Sequence, residues 1–186
     1  MVLKTRLASW GAILIAAGVL LILFGNSLWW PFVILGGLLF TGSLNLDRPE
    51  SIWHRLLSSR QNLHWLALVY FLIGFGQEGA GRLIGIWTYE GVYASLWVQA
   101  ALVLLGYPLF LALVNETHVA LQYSPLSVWA VWVTNISFLI GWSELPNLLA
   151  PLYQVNPPYA QYQIVIFTVG YVLQAVLAVL ARRFLL

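Results

Sequence analysis

Residues 63–86 read LHWLALVYFLIGFGQEGAGRLIGI, an apolar run that passes through a short polar stretch before apolar residues resume. A helix needs about 20 apolar residues to cross the hydrocarbon core of a bilayer, and the uninterrupted part of this run is shorter. We therefore expect a helix that either continues through the polar stretch or breaks at its glycines. In a continuous helix Glu78 and Arg82 are i,i+4 neighbours that can form an ion pair.

The composition of the whole chain is that of a membrane protein. Of the 186 residues 61% are hydrophobic and 8% are charged, whereas soluble domains carry about 25% charged residues. This length predicts a single domain over residues 1–186, with an all-α fold of six transmembrane helices. The predicted spans are residues 8–24, 28–45, 63–86, 92–114, 126–143 and 162–181.

Lysine and arginine residues segregate to one side of this six-span arrangement. Seven of the eight fall on the side that holds both termini, and only Arg82 falls on the opposite side. Because Lys/Arg asymmetry in short loops sets membrane orientation, we predict a multi-pass protein of the inner (plasma) membrane with both termini in the cytoplasm. The seven are Lys4, Arg6, Arg48, Arg55, Arg60, Arg182 and Arg183.

Two loops have an unusual composition for connections between spans. Residues 47–60 place Ile52, Trp53 and Leu56 on one face, which predicts a short helix lying in the inner interface. Residues 143–161 contain four prolines among apolar residues, which predicts a cap folded over the outer mouth of the bundle. Pro108 predicts a kink in the fourth span.

Three acidic residues fall on the outer side, close to Arg82. Three carboxylates facing one arginine leave at least one acid unpaired, and such an acid can keep its proton at neutral pH and act as a general acid. We therefore predict a polar and aromatic site under the cap, with a structural ion pair as the alternative. The catalytic candidates are Glu78, Arg82 and Glu90. The ligand-binding candidates are Trp87, Tyr89, Tyr93, Gln99, Asn135 and Glu144.

Several classes of function are disfavoured by what the sequence lacks. The chain has no cysteine, which excludes disulfides, thiolate metal sites and a cysteine nucleophile. It also has no phosphate-binding glycine loop, G-x-S-x-G or H-E-x-x-H motif. His54, His64 and His118 lack supporting ligands, so no metal or other cofactor is expected. The basic residues occupy loop clusters, so nucleic acid is not an expected partner.

One run of the chain reads Glu78-x-x-x-Arg82-x-x-Gly85-Ile86-Trp87-Thr88-Tyr89-Glu90. This run resembles a segment of the lycopene cyclase domain proteins, a carotenoid family of small helical membrane proteins. In that family an acidic residue at a helix end precedes a Gly-x-Trp-x-aromatic loop. The resemblance implies that Glu78 is the acid and that Trp87 and Tyr89 are the aromatic pair. The family's Pro-x-Glu-Glu motif is replaced by Leu96-Trp97-Val98-Gln99.

Three functions remain open at this point. The first is an intramembrane enzyme or binder for an apolar isoprenoid or lipid at the outer leaflet, and whether it catalyses a reaction is undecided. The second is a solute-capture subunit, similar to those of energy-coupling-factor vitamin transporters. The third is a non-catalytic subunit of a larger membrane complex, docked through the small residues Ala8, Ala12 and Ala16. The expected partners are accordingly a membrane lipid or apolar ligand, or other membrane subunits.

Overall fold

The computed structural model describes residues 2–26, 28–58, 62–85, 87–89, 94–122, 153–155, 158 and 162–186. These residues form a mostly helical structure, which confirms the predicted class of secondary structure. Its elements are α1 (Val2–Leu23), α2 (Trp29–Asn45), α3 (Ile52–Ser58), α4 (Leu63–Leu83), β1 (Trp87–Tyr89), α5 (Leu96–Gln122), β2 (Tyr153–Val155) and α6 (Gln163–Leu185). Residues Leu102–Gly106 of α5 are π-helical.

Two of the described helices, α1 and α5, are long and apolar enough to cross a membrane by length and composition. Helix α2 has 17 residues, fewer than the roughly 20 that a perpendicular crossing needs. The predicted span at residues 126–143 lies outside the described residues. The arrangement of six spans therefore stays a prediction, and the two long apolar helices support an association with a membrane.

Helices α1 and α2 form a hairpin whose backbones touch at glycines. A Cβ atom at Gly11 would lie 2.8 Å from the carbonyl oxygen of Gly36, and a Cβ at Gly36 would lie 2.8 Å from that of Gly11. Only glycine permits helix backbones to approach this closely. Ala12 and Ala16, two of the small residues predicted to form a docking face, are exposed.

Helices α4 and α6 run antiparallel beside α5. Gln77 lies next to Gly170, the Tyr70 hydroxyl lies 3.5 Å from the Ala178 carbonyl oxygen, and Asn62 donates to the Leu185 carbonyl oxygen at 3.0 Å. A core of buried residues from α2, α4, α5 and α6 fills the space between these helices. It consists of Ile34, Leu66, Tyr70, Phe110, Leu111 and Ala178.

Both chain ends meet the segment between α2 and α3 at one end of this bundle, here called the α3 end. Lys4 Nζ lies 3.3 Å from Asp47 Oδ2, and Arg182 donates to the Glu50 carbonyl oxygen at 3.1 Å. The opposite end, where α4 finishes and α5 begins, is here called the Glu78 end. Several of the basic residues predicted to share one side, including Arg48 and Arg55, are therefore collected at the α3 end.

The short helix predicted within residues 47–60 is present as α3. Trp53, however, packs directly against Gly42 and donates its indole N–H to the Leu38 carbonyl oxygen at 3.1 Å. It therefore faces α2, while Leu56 and Leu57 on the same helix are exposed. The missing side chain at Gly42 leaves space for the Trp53 indole. The indole therefore packs against α2 and does not lie on the membrane-facing surface that was expected for an interfacial tryptophan.

Part of the predicted cap lies beside the end of α4. Strand β2, from within residues 143–161, pairs antiparallel with β1 and places Tyr153 opposite Tyr89. Apart from Pro158 and this strand, residues 143–161 lie outside the described residues. The pairing brings the proline-rich segment next to the strand that carries Tyr89.

Candidate functional site

The Glu78 carboxylate lies inside the bundle with only 5% of the residue exposed. Three donors reach it: Arg82 Nε donates to Oε1 at 2.6 Å, the Tyr89 hydroxyl donates to Oε2 at 2.8 Å, and the Tyr107 hydroxyl donates to Oε2 at 3.1 Å. An ionised carboxylate can only accept hydrogen bonds. Three converging donors, one of them cationic, therefore fit an ionised Glu78.

Helix α4 brings Glu78 and Arg82 together because it continues through the polar stretch as far as Leu83. This decides between the two alternatives left by the sequence. Leu66, Tyr70, Gly74 and Glu78 are each four residues apart and are all buried. Since residues at i and i+4 share a helix face, Glu78 belongs to the face of α4 that packs inside the bundle.

Tyr107 reaches Glu78 from a distorted part of α5. Pro108 cannot donate a backbone hydrogen bond, and in a regular helix its ring clashes with the carbonyl group of Leu104. The π-helical segment ends at Gly106, two residues before Pro108, and such segments insert one extra residue into a turn. The structure shows this π segment beside the proline at which a kink was predicted, and the kink itself stays a prediction. Gly74 makes room for Tyr107, because a Cβ there would clash with the tyrosine Cβ.

The third donor, Tyr89, also contacts Arg82 through its ring. The guanidinium carbon lies 5.1 Å from the ring centroid, which is a cation–π geometry. Burial raises the pKa of the Tyr89 phenol far above its ordinary value of 10.0, and the negative charge of Glu78 and the hydrogen bond to it raise it further. The phenol therefore stays protonated and serves as a donor to Glu78.

Arg82 is the most accessible member of the cluster, with 39% of its side chain exposed against 7% for Glu78. Its Nε is occupied by Glu78. Among the residues that the structure describes, its two terminal nitrogens have no hydrogen-bond partner. The cluster therefore presents a fixed, partly exposed guanidinium that can bind an oxygen atom of a ligand.

The structure describes only some of the other predicted site residues. Gln99 is half-buried on α5. The backbone of Trp87 lies in β1, but its side chain is outside the described part of the structure. The others, which also lie outside the described residues, are Glu90, Tyr93, Asn135 and Glu144.

A second buried carboxylate, Glu116, was not predicted from the sequence. It is fully buried near the α3 end. Its Oε1 accepts from the Ile52 backbone N–H at 2.6 Å, and its Oε2 accepts from Asn45 Nδ2 at 2.8 Å. The Ser51 hydroxyl lies within 3.1 Å of both oxygens. Glu116 thereby joins the end of α2 and the start of α3 to α5.

The donors around Glu116 indicate a structural role. Ser51 precedes the first residue of α3, and its Oγ accepts from the Trp53 backbone N–H at 3.1 Å. A carboxylate at a helix N-terminus satisfies free N–H groups and complements the helix dipole. Sequence reasoning missed Glu116 because it lies just beyond the predicted end of the fourth span. The helix in fact continues to Gln122, which places Asn115 and Glu116 inside the bundle.

Comparison of the chain with protein-family models, with curated proteins and with solved structures finds no match. The resemblance to lycopene cyclase domain proteins therefore stays a prediction. A function has to be argued from the site, since a helical bundle by itself serves many functions.

The buried hydroxyl of Tyr89 leads to a first prediction, which concerns how the stability of the protein depends on pH. The folded state holds the phenol neutral, whereas the unfolded chain ionises it above about pH 10.0. The stability that the phenol contributes is therefore complete below this pH and is lost as the pH rises above it. We expect thermal unfolding of wild type in detergent to show a steeper alkaline loss of stability than Tyr89→Phe. Tyr162→Phe, at an exposed tyrosine, is the control. Parallel pH profiles for wild type and Tyr89→Phe would contradict the burial of this phenol.

The Glu116 carboxylate gives a second prediction, on stability. Glu116→Ala leaves the Ser51 hydroxyl and the Ile52 N–H without their acceptor, at a cost of about 1–3 kcal/mol for each donor that stays unsatisfied. The Asn45 amide loses its bond to the carboxylate but keeps its 2.6 Å bond to the backbone carbonyl oxygen of residue 116. Glu116→Gln keeps one acceptor oxygen and should lose less. Equilibrium unfolding in mixed micelles measures both variants. A free energy of unfolding equal to that of wild type for Glu116→Ala would show that Glu116 does not hold α3.

Proposed function

We propose that this chain is a multi-pass membrane protein that binds an apolar isoprenoid or another lipid-like ligand at the Glu78 end of its bundle. The observation that supports this proposal most directly is the arrangement of the Arg82 guanidinium. It is held by a buried carboxylate and packs against a tyrosine ring, and its side chain is still partly exposed. A fixed cation at the edge of an apolar bundle suits a ligand with an apolar body and a polar end.

The exposed surface of the described helices supports the placement in a membrane. Leu83 is 90% exposed, Trp97 84% and Phe24 82%, and all three lie at the Glu78 end. Exposure of large apolar side chains is unfavourable in water and favourable in hydrocarbon. The full arrangement of six spans, with residues 126–143 as the fifth, is part of the proposal.

The orientation is proposed from the charges. Lys4, Arg48, Arg55 and Arg182 gather at the α3 end, whereas Arg82 lies at the opposite end. The positive-inside rule then places the α3 end and both termini in the cytoplasm of a cell bounded by this inner membrane. The Glu78 cluster accordingly belongs to the outer leaflet.

The ligand class follows from what surrounds Arg82. Leu83 and Ile84, which directly follow it in the chain, are exposed apolar side chains. An isoprenoid or acyl chain can lie along these residues while an oxygen at its polar end accepts hydrogen bonds from the guanidinium terminal nitrogens. Charge-assisted hydrogen bonds of this type are about twice as strong as neutral ones.

Binding, rather than acid catalysis, is the activity that the geometry favours. Arg82 Nε donates to Glu78 Oε1 at 2.6 Å, so this carboxyl oxygen already serves as the acceptor for a cation. A general acid must carry a proton, so the role implied by the lycopene cyclase resemblance would require Arg82 to move away first. In the observed arrangement Glu78 holds Arg82 in place, and we propose that the ligand binds to Arg82.

A role as an accessory subunit is the second candidate. Helix α1 packs mainly against α2, and the small residues Ala12 and Ala16 on it are exposed. Small residues on an exposed transmembrane face permit close packing of another helix. This candidate requires no ligand at Arg82, so it is separated from the first by the following experiment.

A third prediction concerns the molecule that leaves the membrane with the purified protein. We expect mass spectrometry of wild type in mild detergent to find a lipid-like molecule in a constant ratio to the protein. Arg82→Gln should reduce this ratio at least about tenfold, because the charge-assisted bonds are lost. Arg183→Gln, at an exposed arginine of the α3 end, is the matched control and should retain the molecule. Equal recovery from Arg82→Gln, or no such molecule in wild type, would contradict the proposed function.

A further inference from the structure

Gln174 is a buried side chain whose hydrogen-bonding groups are unused. It lies on α6 with 2% of the residue exposed, and neither its Oε1 nor its Nε2 has a hydrogen-bond partner in the described structure. A buried amide without partners destabilises a protein, and in native proteins such groups are nearly always satisfied. The side chain therefore indicates a partner that the described residues do not supply.

The position of Gln174 follows from the antiparallel contact between α4 and α6. Gly170 lies beside Gln77, and Ala178 lies beside Tyr70. Gln174 is halfway between Gly170 and Ala178 in sequence and shares their helix face. It is therefore about one helical turn, ~6 Å, from the level of Gln77, in the direction of the α3 end.

A second unsatisfied amide lies close to it. Asn115 on α5 is fully buried, and its Nδ2 donates to the Ala178 carbonyl oxygen at 3.1 Å, whereas its Oδ1 has no partner in the described structure. Ala178 follows Gln174 by one turn on the same face of α6. The Cα atoms of Gln174 and Ala178 are therefore ~6 Å apart, a distance that the Gln174 side chain and one bridging oxygen atom can span together.

The unused groups define the chemistry of the partner. Gln174 and Asn115 offer two carbonyl oxygens as acceptors and one NH₂ group as a donor, and both side chains are neutral. A hydroxyl oxygen matches them, because it donates one hydrogen bond and accepts others without bringing a charge into the bundle. Neither of these two side chains supplies the opposite charge that would offset the lost hydration of an ion.

We propose that Gln174 and Asn115 form a neutral binding site for a hydroxyl oxygen in the interior of the bundle. Water can supply this oxygen, and so can the alcohol end of an isoprenoid. The site is separate from the one proposed for Arg82, since neither amide bonds to Glu78. The test of this site is therefore independent of the test of the proposed function.

The test uses the full chain, labelled with ¹⁵N, in lipid nanodiscs. The side-chain NH₂ resonances of Gln174 are assigned by their loss in Gln174→Leu and, if that variant does not fold, by their shift in Gln174→Asn. Magnetisation transfer from water to this NH₂ group is measured first without ligand. Geranylgeraniol is then titrated in parallel with the hydrocarbon of the same chain that lacks the hydroxyl group.

The two sources of the hydroxyl give different results. Transfer from water to the Gln174 NH₂ group identifies bound water. Preferential binding of the alcohol over the hydrocarbon, weakened about five- to tenfold in Gln174→Leu, identifies an isoprenoid alcohol. Gln122→Leu, at an exposed glutamine on α5, is the control and should leave both results unchanged. If neither water nor the alcohol contacts the Gln174 amide, the proposal is overturned.

Discussion

A carboxylate buried in an apolar helix bundle needs hydrogen-bond donors. The contacts between the elements of this structure depend on which residues supply those donors. Burial of an unpaired charge would cost more than a small domain can offset. Glu78 and Glu116 are buried carboxylates of the described part of the chain, and each accepts from donors in more than one element. Glu78 therefore connects elements at the Glu78 end of the bundle, and Glu116 connects elements at the α3 end.

The two clusters differ in how much of the charged group is exposed. This difference distinguishes the candidate ligand site from a structural contact. The donors to Glu116 are backbone and neutral side-chain groups around the start of α3, and they stabilise the junction between α2, α3 and α5. The principal donor to Glu78 is a guanidinium with 39% of its side chain exposed. A charge that is fixed from within and reachable from outside can bind a ligand, whereas a fully enclosed carboxylate cannot.

The sequence predicted the local features well and the distant contacts poorly. The helical class, the i,i+4 pair of Glu78 and Arg82 and the short helix α3 follow from composition and periodicity, which are local properties. The Tyr107 contact with Glu78 joins residues 29 apart, and the Asn45 contact with Glu116 joins residues 71 apart. Such contacts depend on how helices pack. The proline after Tyr107 was the available signal, because it marks a helix that cannot stay regular.

The central claim is that Glu78 is an ionised carboxylate held by Arg82. The infrared difference spectrum between wild type and Glu78→Gln, recorded in the same nanodiscs at neutral pH, tests it most directly. An ionised Glu78 predicts that the variant loses carboxylate stretching bands and gains those of an amide. Loss of the carbonyl band of a protonated carboxylic acid would instead show that Glu78 carries a proton and is not paired with Arg82.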